Sequence, residues 1–421
     1  MATTTSTVAE SCAAARRAAR TMASASTAAK DAALEAAARL LGERVGEILD
    51  ANAGDLADER AAGLTEALRD RLTLSEARVA AMADGVRAVA ALADPVGEEL
   101  ERRTLASGID LRKVRVPLGV VAVVYEARPN VTIDCAALTI KSGNSIVLRG
   151  SSYAERSNGA LAAVAREALA EAGLPADAVL PLAGGGHAEL AELATQEGLV
   201  DLLIPRGGEG LKNAIKEVAT VPVMYAAAGN CHVYVHADAD PEMARRIVIN
   251  AKTQRPGVCN AAETLLVDAA IAPRFLPAIL SDLDEAGVEL VGDERVRGLA
   301  GEVPVGPATA EDWDAEYLEL KLAVGVVDSV EDAIEHVNAH GTGHSEAIVT
   351  GSEEAADAFV AGVDAAAVYV NASTRFTDGF EYGLGAEIGN STQKLHARGP
   401  IGMRELTTYK YVARGDGQVR E

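Results

Sequence analysis

Aromatic residues are scarce: they make up 3% of the 421 residues, with one Trp and four Phe. A core must therefore be built from Ala, Val, Leu and Ile. The shortage also disfavours modules that stack bases on aromatic platforms. Positive charge is short too. Lys and Arg number 39 against 62 Asp and Glu, for a net charge of −23. Such a chain repels a phosphate backbone, so nucleic acid is not an expected partner. The acidic excess suits a high-salt cytoplasm, where mobile ions screen the repulsion. No apolar run reaches the ~18 residues that a membrane span needs. Cysteines are few, and Cys12, Cys135, Cys231 and Cys259 lie far apart with no CxxC pair. That pattern excludes a disulfide framework and points to a reduced cytoplasmic protein. Neither an internal repeat nor a Pro- or Ser-rich linker occurs, so the domains are expected to share chain segments.

What is present is a large apolar content, 49% of the chain, enough for a sizeable core. At ~150 residues per domain, the length suggests two or three folding units. Residues 1–30 are rich in Ala, Ser, Thr and Arg, with Glu10 as the acid near their start. This imitates an organellar transit peptide, but no cleavage pattern or spacer follows, so a first amphipathic helix is expected. Residues 8–105 read as helical. Leu34, Ala37, Leu41, Val45, Ile48 and Leu49 form a stripe, with Gly54 as a helix stop. From about 109, strand-length apolar runs alternate with helices, which implies parallel α/β sheets. Predicted strands are Val120–Val124, Ile146–Leu148, Leu202–Ile204, Val221–Met224 and Val233–Val235, with helices at 153–172 and 207–217. A second alternation runs from Leu265–Val267 through helix 271–286, Leu322–Val327, helix 330–340, Ile348–Thr350 and helix 352–361 to Ala367–Val370. The tail is Gly-rich and basic, then a strand at Leu406–Val412.

In so acidic a chain, clusters of base stand out. Four occur: Arg128, Lys141 and Arg149; Arg206, Lys212 and Lys216; Lys252 and Arg255; Lys394, His396, Arg398 and Arg404. One cluster alone would read as salt bridges, whereas four suggest a polyanionic ligand such as a dinucleotide or a phosphorylated carboxylate. Arg206-Gly207-Gly208-Glu209-Gly210 follows a strand and opens a helix, where glycines let a phosphate approach the helix N-terminus. The spacing is neither a P-loop nor the usual Rossmann fingerprint. Gly184-Gly185-Gly186 is expected to be an ordinary loop.

Cys12 and Cys135 sit in predicted helices and are expected to be buried and inert. Cys231 precedes a strand and reads either way. Cys259 follows Pro256 and Gly257 in a turn between helix and strand, which projects the thiol. Lys252 and Arg255 are expected to lower its pKa, making it a nucleophile. His336, His340 and His344 resemble a zinc half-site, yet Gly341 and Gly343 interrupt the helix. They are read as surface histidines at a helix end, and no metal site is expected.

Longer strings carry a resemblance. They are Val116-Pro117-Leu118-Gly119-Val120, Tyr125-Glu126-Ala127-Arg128-Pro129-Asn130-Val131-Thr132, Lys141-Ser142-Gly143-Asn144, Leu148-Arg149-Gly150, Pro205-Arg206-Gly207-Gly208, Gly229-Asn230-Cys231-His232, Asn250-Ala251-Lys252-Thr253-Gln254-Arg255-Pro256, Gly383-Leu384-Gly385-Ala386-Glu387-Ile388-Gly389 and Ser391-Thr392-Gln393-Lys394-Leu395-His396-Ala397-Arg398-Gly399-Pro400. With these the chain resembles, nearly end to end, the γ-glutamyl phosphate reductases. That family is the proline-biosynthesis branch of the aldehyde dehydrogenase superfamily.

The resemblance implies an α/β fold of the aldehyde dehydrogenase type, with two α/β domains and a β oligomerisation arm. Residues 1–108 and 125–230 would form the cofactor domain, and 231–372 the catalytic domain. Strands in 109–124 and 400–421 would make the arm, and 373–399 a basic return segment. Cys259 falls at the family's nucleophile, and Asn130 near its oxyanion-binding Asn. Arg206, Gly207 and Gly208 fall at the cofactor's phosphate turn, and Arg149, Gly150 and Ser152 at its adenosine end, with Glu387 also in the cofactor site. Lys394, His396 and Arg398 would take the substrate's phosphate or α-carboxylate, as would Arg128 and Arg255. The implied cofactor is NADP, as NADPH. The implied partners are γ-glutamyl phosphate, with optional hand-over from a glutamate kinase, and further copies of the chain as a dimer or tetramer. Aldehyde-oxidising members carry a water-activating Glu before their paired glycines, whereas this chain reads Ala226-Ala227-Ala228-Gly229-Asn230. That departure suits a reductase. The rival readings are an oxidising or acylating aldehyde dehydrogenase for another small aldehyde, and a non-catalytic binding protein.

Overall fold

The computed structural model describes residues 7–182, 186–225 and 228–420. Two compact units divide the chain. The first is Met1–Tyr225 with Gly383–Gly389 and Ile401–Glu421; the second is Ala226–Tyr382 with Asn390–Pro400. Tail segments thus return to both units.

In the first unit the Ala-rich N-terminus forms the helix Val8–Met22. Thr7 and Glu10 close a capping box at its start, which gives that acid a structural task. Cys12, Ala15 and Ala19 face the core beside Val120, Ala122 and Val124. The stripe over 34–49 spans two helices, Thr27–Glu43 and Val45–Leu56, broken at Arg44. Gly54 is not a stop. The helix runs through it, and the position suits glycine because a Cβ would lie 2.8 Å from the Arg156 guanidinium. The helical stretch also ends before 105. Glu99–Thr104 is a strand paired antiparallel with Asp110–Pro117. Local helix propensity yields there to a hairpin closed by the bidentate pair Arg102–Asp110, at 2.9 and 3.1 Å. Thr407–Arg414 adds to the other side of Asp110–Pro117, completing a three-stranded antiparallel sheet. The neighbouring strand Val120–Tyr125 belongs instead to a parallel sheet in the order Val179–Pro181, Ser145–Arg149, Val120–Tyr125, Leu202–Arg206. The segment predicted as a strand over 221–224 supplies an isolated bridge, Leu203 to Val223. Pro222 has no N–H with which to extend it.

The second unit holds a seven-stranded sheet in which every neighbouring pair is parallel. Its order is Val305–Pro307, Glu289–Gly292, Lys321–Val327, Ala262–Asp268, Cys231–Val235, Ser345–Val349, Ala367–Val370. The predicted strand at 233–235 therefore belongs here and not with the first sheet. The first two strands in that order are hidden in the sequence, being short and interrupted by Gly292 and Gly306. Leu265, Phe275, Leu276, Ile279, Leu280 and Val324 fill one face of the sheet. The loops that enter the adjacent central strands Cys231–Val235 and Ala262–Asp268 carry Gly229 and Cys259, which places both at one end of the sheet.

Candidate active site

Cys259 lies between the helix Pro241–Thr253 and the strand Ala262–Asp268, half-buried, whereas Cys12, Cys135 and Cys231 are buried. Burial pushes the Cys12 thiol up to about 11 and the Cys135 thiol up to about 12, and raises Cys231 well above the thiol range. These three are poor nucleophiles near neutral pH. Brief treatment of the native protein with iodoacetamide should therefore modify Cys259 alone. Unfolding in urea should expose all four thiols, as mass spectrometry would show.

The loop that carries Cys259 is held by close backbone packing. A Cβ on Gly229 would lie 1.5 Å from the Cys259 carbonyl oxygen and 2.7 Å from its Cα, so only glycine fits. The Gly229 N–H donates to Glu316 at 2.6 Å, and the Cys231 thiol donates to the Cys259 carbonyl at 3.1 Å. Asn260 fixes the far side. Its side chain donates to the carbonyls of Thr377 (2.9 Å) and Arg375 (3.3 Å), while Thr374 Oγ1 donates to its carbonyl at 2.7 Å. Arg375 Nε donates to Gln254 Oε1 at 2.9 Å. Sequence reasoning does not single out Arg375. It is a cation that this geometry ties to both ends of the Cys259 loop, at Gln254 and Asn260.

Lys252 does not serve Cys259 as the sequence suggests. Its ammonium is fully buried and paired with the equally buried Glu263 at 2.5 Å. Burial raises the Glu263 carboxyl, with Lys252 and the Leu318 N–H pulling it back. The pair fastens helix to strand beneath the loop. Removing one partner of a buried pair costs about 3–5 kcal/mol. Glu263→Ala is expected to lose stability by that order in urea unfolding, and a loss below about 1 kcal/mol would contradict the pairing.

Other basic residues also have structural tasks. Lys141 is buried and donates to Asp31 (2.5 Å) and the Ala90 carbonyl (2.6 Å). Lys394 and Arg398 both meet Asp364, at 2.6 and 2.8 Å, and Arg404 meets Glu98 at 3.1 Å. His396 is exposed in the same return segment, and Arg128 is exposed in the first unit. Arg255 is exposed and forms no ion pair among the described residues. The three histidines are not a surface set. The helix ends at His340, while His344 is fully buried, with its Nδ1 2.8 Å from Ser345 Oγ and 3.8 Å from Cys231 Sγ.

All the residues expected at the cofactor fall in the first unit. The strand Leu202–Arg206 runs into Gly207 and Gly208, and Gly208 caps the helix Glu209–Val218. The Gly208 N–H donates to the Glu126 carboxylate, Oε1, at 3.0 Å, so the donor at this turn is engaged by the chain's own anion. A Cβ on Gly207 would stand 2.7 Å from that carboxylate. Gly150 and Ser151 line a cavity of about 240 Å³ that also takes in Tyr125, Asn158 and Pro181. A Cβ on Gly150 would collide with the Asn158 amide. Arg149 donates to the Gly186 carbonyl at 3.3 Å and faces Glu189, while Ser152 starts the next short helical turn. Gly184 and Gly185 lie outside the described residues. Glu387 is half-buried on the returning segment Gly383–Gly389. An anion-holding turn and a small-residue cavity in one unit fit a dinucleotide. Asn130, at the start of the helix Asn130–Lys141, is exposed and donates to Asp134 at 2.9 Å. Burial raises the Asp134 carboxyl to about 6, with the Asn130 amide and Arg206 opposing.

A half-buried thiol on a loop packed against Gly229 at the end of one parallel sheet, and a glycine turn whose N–H holds the Glu126 carboxylate at the end of another, suit one class of enzyme. The profile of the aldehyde dehydrogenase family matches residues 1–313, and the chain belongs to that family. Nicotinamide cofactors go with this membership. Within the family the chain is similar to the γ-glutamyl phosphate reductases. It is 55% identical to that of Thermobifida fusca, over 91% of each chain. It is 53% identical to that of Koribacter versatilis, over 98% of this chain and 100% of the other. The crystal structure of γ-glutamyl phosphate reductase from Thermotoga maritima superposes with a TM-score of 0.96 at 46% identity, covering 99% of this chain and 100% of that one. No described helix is long and apolar enough to cross a membrane.

Proposed function

We propose that the protein reduces γ-glutamyl phosphate to glutamate 5-semialdehyde and phosphate in proline biosynthesis, in the cytoplasm, with NADPH. The observation that carries this reading is the half-buried Cys259 on a loop fixed by Gly229, with no acid in residues 226–230 to activate water. The Cys259 thiolate attacks the acyl carbon. Its own backbone N–H receives the oxyanion, and Asn130 is proposed as the side-chain donor. The tetrahedral adduct expels phosphate with the C–O bonding electrons, leaving a thioester on Cys259. When bound, the nicotinamide would supply the hydride for reduction of this thioester. The resulting hemithioacetal releases the aldehyde, and the thiolate is restored. Because residues 226–230 supply no carboxylate to activate water, and the Glu316 carboxylate is engaged by the Gly229 N–H, the thioester persists until it is reduced. A general oxidising aldehyde dehydrogenase would need that carboxylate.

The first unit carries the cofactor, with Arg206, Gly207 and Gly208 at the pyrophosphate and Arg149, Gly150 and Ser152 at the adenosine. Lys394 and Arg398, already paired with Asp364, are better suited to holding the return segment than to being primary ligands. Homo-oligomerisation through Thr407–Arg414 is proposed on the strand's outer edge and its exposed Tyr409 and Tyr411. Hand-over from a glutamate kinase would shield the labile substrate. The acyl-enzyme step is tested by mixing γ-glutamyl phosphate with enzyme and no cofactor. Phosphate release with a glutamyl adduct on Cys259 is expected, and an unmodified Cys259 would contradict the mechanism.

A further inference from the structure

Arg375 and Arg255 stand together at the nucleophile loop. Arg375 is half-buried in the turn Thr374–Phe376, and its Nε donates to Gln254, the residue before Arg255, at 2.9 Å. Neither forms an ion pair among the described residues, although the chain holds 62 acids against 39 bases. An acid whose field reaches Arg375 is Asp378, and its Oδ1 is engaged by the Phe380 N–H at 2.9 Å. Burial, and after it the like charge of Arg255, works against the Arg375 cation, while Asp378, Cys259 and Cys231 favour it. The Arg375 side chain is nonetheless anchored. Its Nε is fixed by Gln254 at 2.9 Å, and its backbone carbonyl accepts from Asn260, the residue after Cys259, at 3.3 Å. A half-buried guanidinium without an ion-paired acid, with a second arginine on the adjoining loop, is a ready partner for an anion. A dianion with several acceptor oxygens matches two guanidinium forks.

We infer that Arg375, with Arg255, clamps the phosphoryl group of the substrate and holds inorganic phosphate in the reverse reaction. The inference rests on the acyl-phosphate reading above. It favours phosphate over the α-carboxylate on chemical grounds. The phosphate is bonded to the carbon that Cys259 attacks, so it must lie beside the nucleophile loop, whereas the α-carboxylate is several bonds away. The clamp neutralises charge on the leaving phosphate as the C–O bond breaks. It is a binding role distinct from the thiol's.

The test compares wild type with Arg375→Gln and Arg375→Lys in the reverse direction, titrating phosphate and aldehyde separately. Arg375→Gln keeps the backbone carbonyl that holds Asn260. It should raise the KM for phosphate by about 10- to 100-fold, the loss expected for a charge-assisted contact, with the KM for aldehyde within about twofold. Arg375→Lys should recover part of the loss. An unchanged phosphate KM would overturn the inference. So would a rise confined to the aldehyde KM, which would move Arg375 to the α-carboxylate. A second arm reads binding without turnover, through protection of Cys259 from iodoacetamide by inorganic phosphate. A wild type whose turnover is indifferent to phosphate would contradict the reaction itself, and this arm would then decide the clamp alone. Protection lost in Arg375→Gln supports it, and equal protection in both proteins overturns it.

Discussion

Replacing Cys259 by Ser is expected to lower turnover by roughly 10⁴- to 10⁶-fold, the range seen when a covalent nucleophile is removed. The variant should fold normally, because Oγ is smaller than Sγ and creates no clash, and Cys259 is only half-buried. It should still bind NADPH, since the residues assigned to the cofactor lie in the other unit. Urea unfolding and cofactor titration check those two points, and steady-state rates check the first. Near-normal turnover in a folded Cys259→Ser protein would remove the thioester from the mechanism.

The second large effect is expected at a residue with no chemistry of its own. In Gly229→Ala the new methyl would stand 1.5 Å from the Cys259 carbonyl oxygen, a contact that no rotamer can relieve. Either the segment 228–230 or the nucleophile loop must move. The loop is held through Asn260 and the Cys231 thiol, so a shift there carries Cys259 with it. A displacement of about 1 Å at a reacting group can reduce rate by 10²-fold. Gly229→Ala is therefore expected to lose at least about 100-fold in kcat. The rate of Cys259 alkylation should change with it, while NADPH affinity should be unchanged. Wild-type kcat in this variant would show that the loop tolerates displacement and that its rigidity is not needed.

These two residues also show how far the sequence can be read. The accessible turn at Cys259 is legible because Pro256 and Gly257 are local turn signals, and the other thiols, which are buried, lie in helical or strand patterns. Gly229 is visible as part of a motif, but its reason is not, since that reason is a backbone contact with a residue 30 positions away. Lys252 misleads for a related cause. Proximity in sequence to Cys259 suggests an electrostatic partner, whereas the fold buries its ammonium against Glu263 on the next strand. Arg375 escapes notice because its ties to Gln254 and Asn260 cross more than a hundred residues. The alternation of strands and helices is legible where apolar runs are long. It fails at Glu99–Thr104, where a charged strand is made by pairing and not by hydrophobic pattern.

The central claim is that Cys259 exchanges phosphate for hydride at one acyl carbon. The most direct measurement runs the reaction backwards, with glutamate 5-semialdehyde and NADP⁺, with and without phosphate, following NADPH by absorbance. The account predicts NADPH formation that depends on phosphate. NADPH formation at the same rate without phosphate would contradict it and indicate an ordinary aldehyde dehydrogenase.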